Sequence, residues 1–215
     1  MIDHSVLRPE STEDDVKKAC ELAVRLGLAS VVVNPYHIPT TVAGVRGSDV
    51  KACSVISFPF GLSSTETKLA EVRDVLAKGT GEIDVVMNFG ALRSAREDYV
   101  LNEISSITAL AKSGRKRVVV KVILETCYLN EHQKKQGCLL AVKGGADFVK
   151  TSTGFGSAGA TVEDVRLMRK MVPSNFGVKA AGGIRTVEQA LQMIEAGANR
   201  IGTSSSFSIL EGLKE

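Results

Sequence analysis

RVVVKVILE, residues 117–125, is apolar at almost every position, with one lysine, Lys121, set between Val120 and Val122. A strand with one wet face alternates apolar and polar residues. A near-continuous run such as Val118–Val122 instead predicts burial on both faces, as in parallel sheets whose crossover helices cover the strands. Similar Val- and Ile-rich runs recur along the chain. The strand candidates are Ile2–Leu7, Ala29–Asn34, Lys51–Phe58, Ile83–Asn88, Arg117–Glu125, Ala146–Ser152, Gly177–Ala181 and Asn199–Thr203. Between them the apolar residues fall at helical spacing, near Glu13–Leu26, Thr65–Lys78, Arg96–Ser113, Glu131–Lys143, Val162–Met171 and Val187–Ala196, with a short helix after Ser204. Ser11, Ser64, Asn130, Thr161 and Thr186 stand where N-caps are expected, each followed within a few positions by Glu or Gln. Gly27, Gly79, Gly114, Gly144 and Gly197 stand at the other ends. Eight strands alternating with helices predict a closed (β/α)8 barrel, an α/β TIM barrel. An open doubly wound sheet would want G-x-G-x-x-G after the first strand, and that motif is missing there.

Composition narrows the function. The 215 residues are 44% hydrophobic and 24% charged, enough for a sizeable core, and no Pro/Gly/Ser-rich linker divides them, so one domain over residues 1–215 is expected. The net charge is only +3 and the basic run Lys112–Lys121 is isolated, so no nucleic-acid partner is expected. Cys20, Cys53, Cys127 and Cys138 include no C-x-x-C pair, and His4, His37 and His132 lie far apart, so no metal site is expected. Nothing approaches the ~18 consecutive apolar residues of a membrane span, and no signal peptide follows Met1. A cytoplasmic protein with reduced thiols is expected.

The interior of such a barrel is normally filled by Val, Ile and Leu. Here Asp84 lies between Ile83 and Val85, Lys121 between two valines, Lys150 after Val149 and Lys179 after Val178. With the apolar neighbours facing the helices, the four charges point inward, toward the C-terminal mouth where this fold builds its active sites. Three lysines and one carboxylate are no balanced ion pair. Lys150 and Lys179, on adjacent strands about 4.8 Å apart, disfavour each other's charge, so one should titrate low and act as a nucleophile toward a carbonyl. The loops Thr151-Ser152-Thr153-Gly154, Ala181-Gly182-Gly183-Ile184-Arg185 and Gly202-Thr203-Ser204-Ser205-Ser206 follow strands six, seven and eight. Their backbone N–H groups, hydroxyls and a following helix N-terminus suit a phosphate.

At these residues the sequence resembles the deoxyribose-phosphate aldolase family of Schiff-base-forming aldolases. The likeness runs from Ile2-Asp3-His4 through Glu82-Ile83-Asp84-Val85-Val86, Val120-Lys121-Val122-Ile123-Leu124-Glu125-Thr126 and Phe148-Val149-Lys150-Thr151-Ser152-Thr153-Gly154 to Lys179-Ala180-Ala181-Gly182-Gly183-Ile184-Arg185-Thr186 and Gly202-Thr203-Ser204-Ser205. The resemblance implies a (β/α)8 fold and reversible cleavage of 2-deoxy-D-ribose 5-phosphate to acetaldehyde and D-glyceraldehyde 3-phosphate, without metal or organic cofactor. It matches Lys150 to the Schiff-base lysine, Lys179 to the lysine that tunes it and moves protons, and Asp84 to a carboxylate that relays them through water. Gly154, Gly182, Gly183, Ser204 and Ser205 match positions around the phosphate, and Asp3 and Lys121 match supporting polar residues. A homo-oligomer, dimer or tetramer, is expected, with the sugar phosphate and acetaldehyde as small-molecule partners.

Three departures accompany the likeness. The chain opens almost directly at strand one, so the bottom of the barrel is expected to be less covered. It ends at Leu213-Lys214-Glu215, without the terminal Tyr of some members. Phe155 follows Gly154, where some relatives carry a lysine near the phosphate. Cys127 and His37 are read as ordinary packing or loop residues, while Asn34 and Asn88, at strand ends, are open equally to capping loops or touching substrate. The competing functions are a cofactor-free sugar-phosphate isomerase or condensing barrel without a covalent intermediate, and a non-catalytic sugar-phosphate binding protein.

Overall fold

A computed structural model of the chain describes residues 1–114 and 117–213. Eight strands, β1 (Ile2–Val6), β2 (Ser30–Val33), β3 (Lys51–Ile56), β4 (Glu82–Val86), β5 (Val119–Ile123), β6 (Phe148–Lys150), β7 (Gly177–Ala181) and β8 (Arg200–Thr203), close in sequence order into a parallel barrel. The helices are α1 (Glu13–Arg25), α2 (Ile38–Gly44), α3 (Thr65–Ala77), α4 (Phe89–Arg93), α5 (Glu97–Lys112), α6 (Glu131–Lys143), α7 (Val162–Met171), α8 (Val187–Glu195) and α9 (Ser206–Glu211). The eight-stranded barrel expected from RVVVKVILE and its counterparts is the observed architecture. Among the described residues no helix is long and apolar enough to cross a membrane.

Most helix starts follow the cap chemistry. Ser64, Asn130, Thr161 and Thr186 each accept the N–H three residues on, satisfying a donor the helix cannot. At α1 the cap is Thr12, one residue beyond the expected Ser11, because Asp15 closes a reciprocal box with it. After α6 the left-handed position is Gly145 (φ 78°), not Gly144, which keeps helical angles. Two helices had no legible periodicity. IPTTVAG (α2) is short, carries Pro near its start and is rich in β-branched residues; it packs on α1 so closely that a Cβ on Gly44 would lie 2.8 Å from that of Cys20. FGALR (α4) has only five residues, started by the Asn88 side chain. Most strands are a residue or more shorter than their apolar runs.

The strands' two faces meet different surroundings. Outward residues such as Ile83, Val85, Val120, Val122, Val149 and Val178 join one continuous core with the helices. Inside the barrel, Val32, Cys53 and Val55 form a separate small cluster against Leu7 and Phe58. At the bottom, an apolar cavity of about 250 Å³ opens between Ile2, the end of α1, α8 and α9. On the surface, Lys112 and Arg117 both pair with Asp147 (3.0 and 2.9 Å); Arg115 and Lys116 of the same basic run, like Lys214 and Glu215, lie outside the described residues.

Candidate active site

The period of two along each strand puts Asp84, Lys121, Lys150 and Lys179 inside the barrel, all buried, as expected. Asp84 is the hub. Its Oδ2 accepts from Lys150 Nζ (2.8 Å) and Lys179 Nζ (2.7 Å), and its Oδ1 accepts from Lys121 Nζ (2.8 Å). Register explains the convergence: Asp84 is level with Lys121 across β4 and β5, and Lys150 is level with Lys179 across β6 and β7. Asp3, on β1, accepts from Lys179 Nζ at 2.5 Å and from Arg200 at 2.6 Å.

The expected count of one carboxylate is too low. Asp3 and Glu82 also face inward, Lys121 lies 2.5 Å from Glu82, and Arg200 reaches both Asp3 and Glu82 from the lower end. Glu82 and Arg200 escaped the sequence reading, although the same alternation reveals them: Glu82 is two residues before Asp84, and Arg200 is two before the inward Gly202. Four cations thus face three carboxylates, an excess of one. Making one lysine neutral balances the cluster, and such balance matters where water cannot screen the charges.

The surroundings indicate which lysine gives up its proton most easily. Burial pulls Lys150 below the ordinary lysine value; Asp84 opposes that and the charge on Lys179 adds to it. Burial acts on Lys179 as well, but Asp3 and Asp84 outweigh it and hold this lysine above its usual value. The neighbouring charge alone was the expected cause of a low-titrating lysine; burial is the larger one. Asp84 is held well below the carboxylate range because Lys121, Lys150 and Lys179 together overcome its burial. Lys121 is raised against its own burial by Asp84, Cys53, Asp3 and Glu82. The cluster therefore offers one amine whose proton is loosened, beside a carboxylate held anionic and two lysines held as ammonium groups.

A cavity of about 410 Å³ opens from this cluster to the C-terminal mouth. Asp3, Lys150 and Lys179 line its floor, and Gly154, Gly182, Gly183 and Ser204 line its upper wall. Gly182 has φ 92° and meets Gly159 so closely that a Cβ would sit 2.9 Å from its Cα; a Cβ on Gly183 (φ 81°) would meet nothing within 4 Å. One glycine lets two loops touch and the other leaves room for a ligand. Ser205 does not line the cavity: its N–H donates to Thr203 Oγ1 (2.9 Å), placing it behind Ser204 at the start of α9. With only six residues, α9 adds less to a phosphate site than a long helix would. Phe155 lines the mouth and meets Phe58 edge-on, ring centroids 5.4 Å apart. Arg8 and Arg185 stand at the same mouth, so the cavity does not lack positive charge despite Phe155. A second cavity, about 440 Å³ and lined by Asn34, Ser57, Phe60 and Glu71, includes none of the lysines.

Asn34, Asn88, His37 and Cys127 do not line the cavity of about 410 Å³. Asn34 donates to Leu7 O, and Asn88 caps α4. His37 is buried in a short turn of helix after β2, and Cys127 is half-buried. Among the described residues no group of three or more His, Cys, Asp and Glu side chains is arranged to hold a metal ion.

Comparison with known proteins places the chain. Residues 1–211 match the family described as DeoC/LacD family aldolase. The deoxyribose-phosphate aldolase of Caldanaerobacter subterraneus subsp. tengcongensis is 51% identical over 215 residues, covering 100% of this chain and 93% of the relative. That of Thermococcus gammatolerans is 53% identical, covering 99% and 95%. The tetrameric deoxyribose phosphate aldolase of Aeropyrum pernix superposes with a TM-score of 0.92 at 37% identity, covering 100% of this chain and 89% of that one. A lysine cluster at the mouth of an eight-stranded barrel and whole-chain likeness to these enzymes agree: the chain belongs to the DeoC/LacD family of aldolases.

Proposed function

We propose that the chain, a single (β/α)8 domain over residues 1–215, catalyses the reversible cleavage of 2-deoxy-D-ribose 5-phosphate to acetaldehyde and D-glyceraldehyde 3-phosphate through a Schiff base on Lys150. The observation that carries this reading is one carboxylate oxygen, Asp84 Oδ2, shared by Lys150 and Lys179 on the floor of a cavity whose wall is glycine and serine. Neutral Lys150 adds to C1 of the open-chain sugar, and loss of water leaves an iminium. Removal of the C3 hydroxyl proton then breaks the C2–C3 bond. The electron pair passes into the iminium, giving an enamine and releasing glyceraldehyde 3-phosphate. Protonation of the enamine carbon and hydrolysis free acetaldehyde and restore the amine. Lys179, held charged, is the proton donor to this cycle, and anionic Asp84 passes protons between the lysines and water. Asp3 and Lys121 hold Lys179 and Asp84 in place.

The phosphate rests against Gly154, Gly182, Gly183 and Ser204, whose backbone N–H groups and hydroxyl suit an anion; Ser205 supports this wall from behind. No organic cofactor or metal is needed for this chemistry. Likeness to the tetrameric Aeropyrum pernix enzyme supports a homo-oligomer. Four cysteines without a disulfide support a reducing, cytoplasmic setting. The rival isomerase and binding-protein readings gain no support from the relatives.

Incubation with acetaldehyde and borohydride tests the proposal. An ethyl label located on Lys150 by peptide mass spectrometry is expected. A label on Lys179 or Lys121 moves the imine, and no label removes the covalent mechanism.

A further inference from the structure

Outside the lysine cluster, one buried titratable side chain touches the site without a part in the chemistry above. Glu125, just past β5, is 2% exposed. Its backbone is left-handed (φ 54°, ψ 64°), a conformation that costs a residue with a Cβ roughly 1 kcal/mol or more and that recurs where surroundings impose it for function. The surroundings here are the segment that carries Lys150. Leu124 N–H donates to Lys150 O (2.9 Å), and Thr126 N–H donates to Thr151 O (3.0 Å). Between these two bonds the Glu125 side chain reaches Thr153: its carboxylate accepts from the Thr153 N–H (3.3 Å) and from the Thr153 hydroxyl. The same hydroxyl accepts from the Phe155 N–H (3.0 Å). Gly156 completes the contact, since a Cβ there would lie 3.2 Å from the Glu125 carboxyl carbon and 2.7 Å from Cys127 Sγ.

Three consecutive residues therefore grip Lys150 through Phe155. The main chain of 124 and 126 fixes the lysine, and the side chain of 125 fixes the loop beyond it, which lines the mouth at Gly154. This corner fixes the Thr153–Phe155 loop relative to Lys150. The geometry points to Glu125 as a positioning residue that, through Thr153, holds the Thr153–Phe155 loop at the reach of a phosphorylated sugar and so confers preference for the phosphate. This inference rests on the aldolase reading above.

The test compares cleavage of deoxyribose 5-phosphate and of unphosphorylated deoxyribose by the full-length protein and its variants. Glu125→Gln keeps the size of the side chain but replaces one acceptor oxygen with a donor. KM for the phosphorylated sugar should rise about tenfold, the scale of one lost hydrogen bond to a charged group, with a much smaller change in KM for deoxyribose. Thr153→Val should reproduce the split, Thr153→Ser, which keeps the hydroxyl, should leave the preference close to that of the unaltered enzyme, and the Glu125→Gln/Thr153→Val pair should lose little more than either alone. Equal losses on both sugars, or a Thr153→Val enzyme that keeps its preference, would overturn the role of Glu125. Should Glu125→Gln not fold, the two Thr153 variants decide between these outcomes by the same pair of KM values. Failure of the unaltered protein to cleave deoxyribose 5-phosphate would instead overturn the aldolase reading.

Discussion

On β4, Ile83 and Val85 point one way and Glu82 and Asp84 the other, one residue apart and equally dry. Outside the barrel, Ile83 and Val85 touch other apolar side chains, and any neighbour of similar volume serves nearly as well. Inside, Asp84 has three named ammonium partners, and an unpaired member of that set would be a buried charge. Stability and chemistry are thus separated by the parity of a strand rather than by distance. A substitution on the outer face should change how firmly the barrel holds; one on the inner face should change what it does.

The largest effect is expected at Lys150. Lys150→Arg keeps a long basic side chain, but guanidinium stays charged and cannot add to a carbonyl, so turnover and borohydride labelling should both vanish. Release of glyceraldehyde 3-phosphate in a coupled assay measures it. Residual turnover at the unaltered rate would mean that another group is the nucleophile, and the inner face would then divide its labour differently.

Asp84→Asn comes next. Turnover should fall ~10²-fold or more as the anion that handles protons is lost. Because three lysines lean on this carboxylate, the variant should also melt earlier, a cost the sequence alone did not disclose. Its pH dependence identifies the cause. Asp3 and Asp84 have folded values lowered from the ordinary 3.8. As pH falls the unfolded chain takes up their protons first, so their contribution is complete above that value and drains away toward the lower folded values. Lys121 and Lys179, raised above 10.5, contribute fully below that pH and lose the contribution as pH climbs through their folded values. Melting temperature should therefore drop at both extremes, and Asp84→Asn should flatten the acid side. A variant with unchanged turnover and an unchanged acid limb would reduce Asp84 to a bystander.

Ser204→Asp acts at the rim, where inner face gives way to loop. A carboxylate against the phosphate should raise KM for deoxyribose 5-phosphate by about tenfold or more through like-charge repulsion, while KM for deoxyribose stays close to its original value. This variant keeps ordinary backbone angles, whereas a side chain at Gly183 (φ 81°) would strain the loop whatever it does to the phosphate. Equal effects on both sugars would place the phosphate elsewhere.

Most of this was legible because both faces write themselves into a strand. VVVKV announces two apolar surfaces and a single interruption, and four such interruptions located the lysines and Asp84. The reading stopped where one strand had to be compared with another. Glu82 and Arg200 lie near strand ends, where a charge also reads as a solvated terminus, and only closure of β8 onto β1 and β7 brings Arg200 to Asp3. Glu125 is the last residue of the strand candidate Arg117–Glu125, though the strand itself ends at Ile123; its left-handed backbone and its grip on Thr153 exist only in three dimensions. Ser205 matched a motif, yet its N–H turned out to serve Thr203. α2 and α4 were invisible because their stability comes from packing rather than from periodicity.

The smallest effect belongs to the outer face, and it is a control on all the others. Ile83→Val removes one methyl group from a side chain that is completely buried between β4 and the helices. The loss should be about 0.5–1.5 kcal/mol, seen as a lower denaturant midpoint with an unchanged slope. Since the change removes only apolar contact from the core that Ile83 shares, the stability curve should move down in parallel at every pH, unlike that of Asp84→Asn. Its neighbour Asp84 is displaced only if backbone strain crosses from one face to the other. KM and kcat for deoxyribose 5-phosphate should therefore match those of the unaltered enzyme under conditions where both are folded. A fall in kcat of tenfold would show that packing outside the barrel sets the geometry of the lysines within it, and parity would no longer separate the two roles.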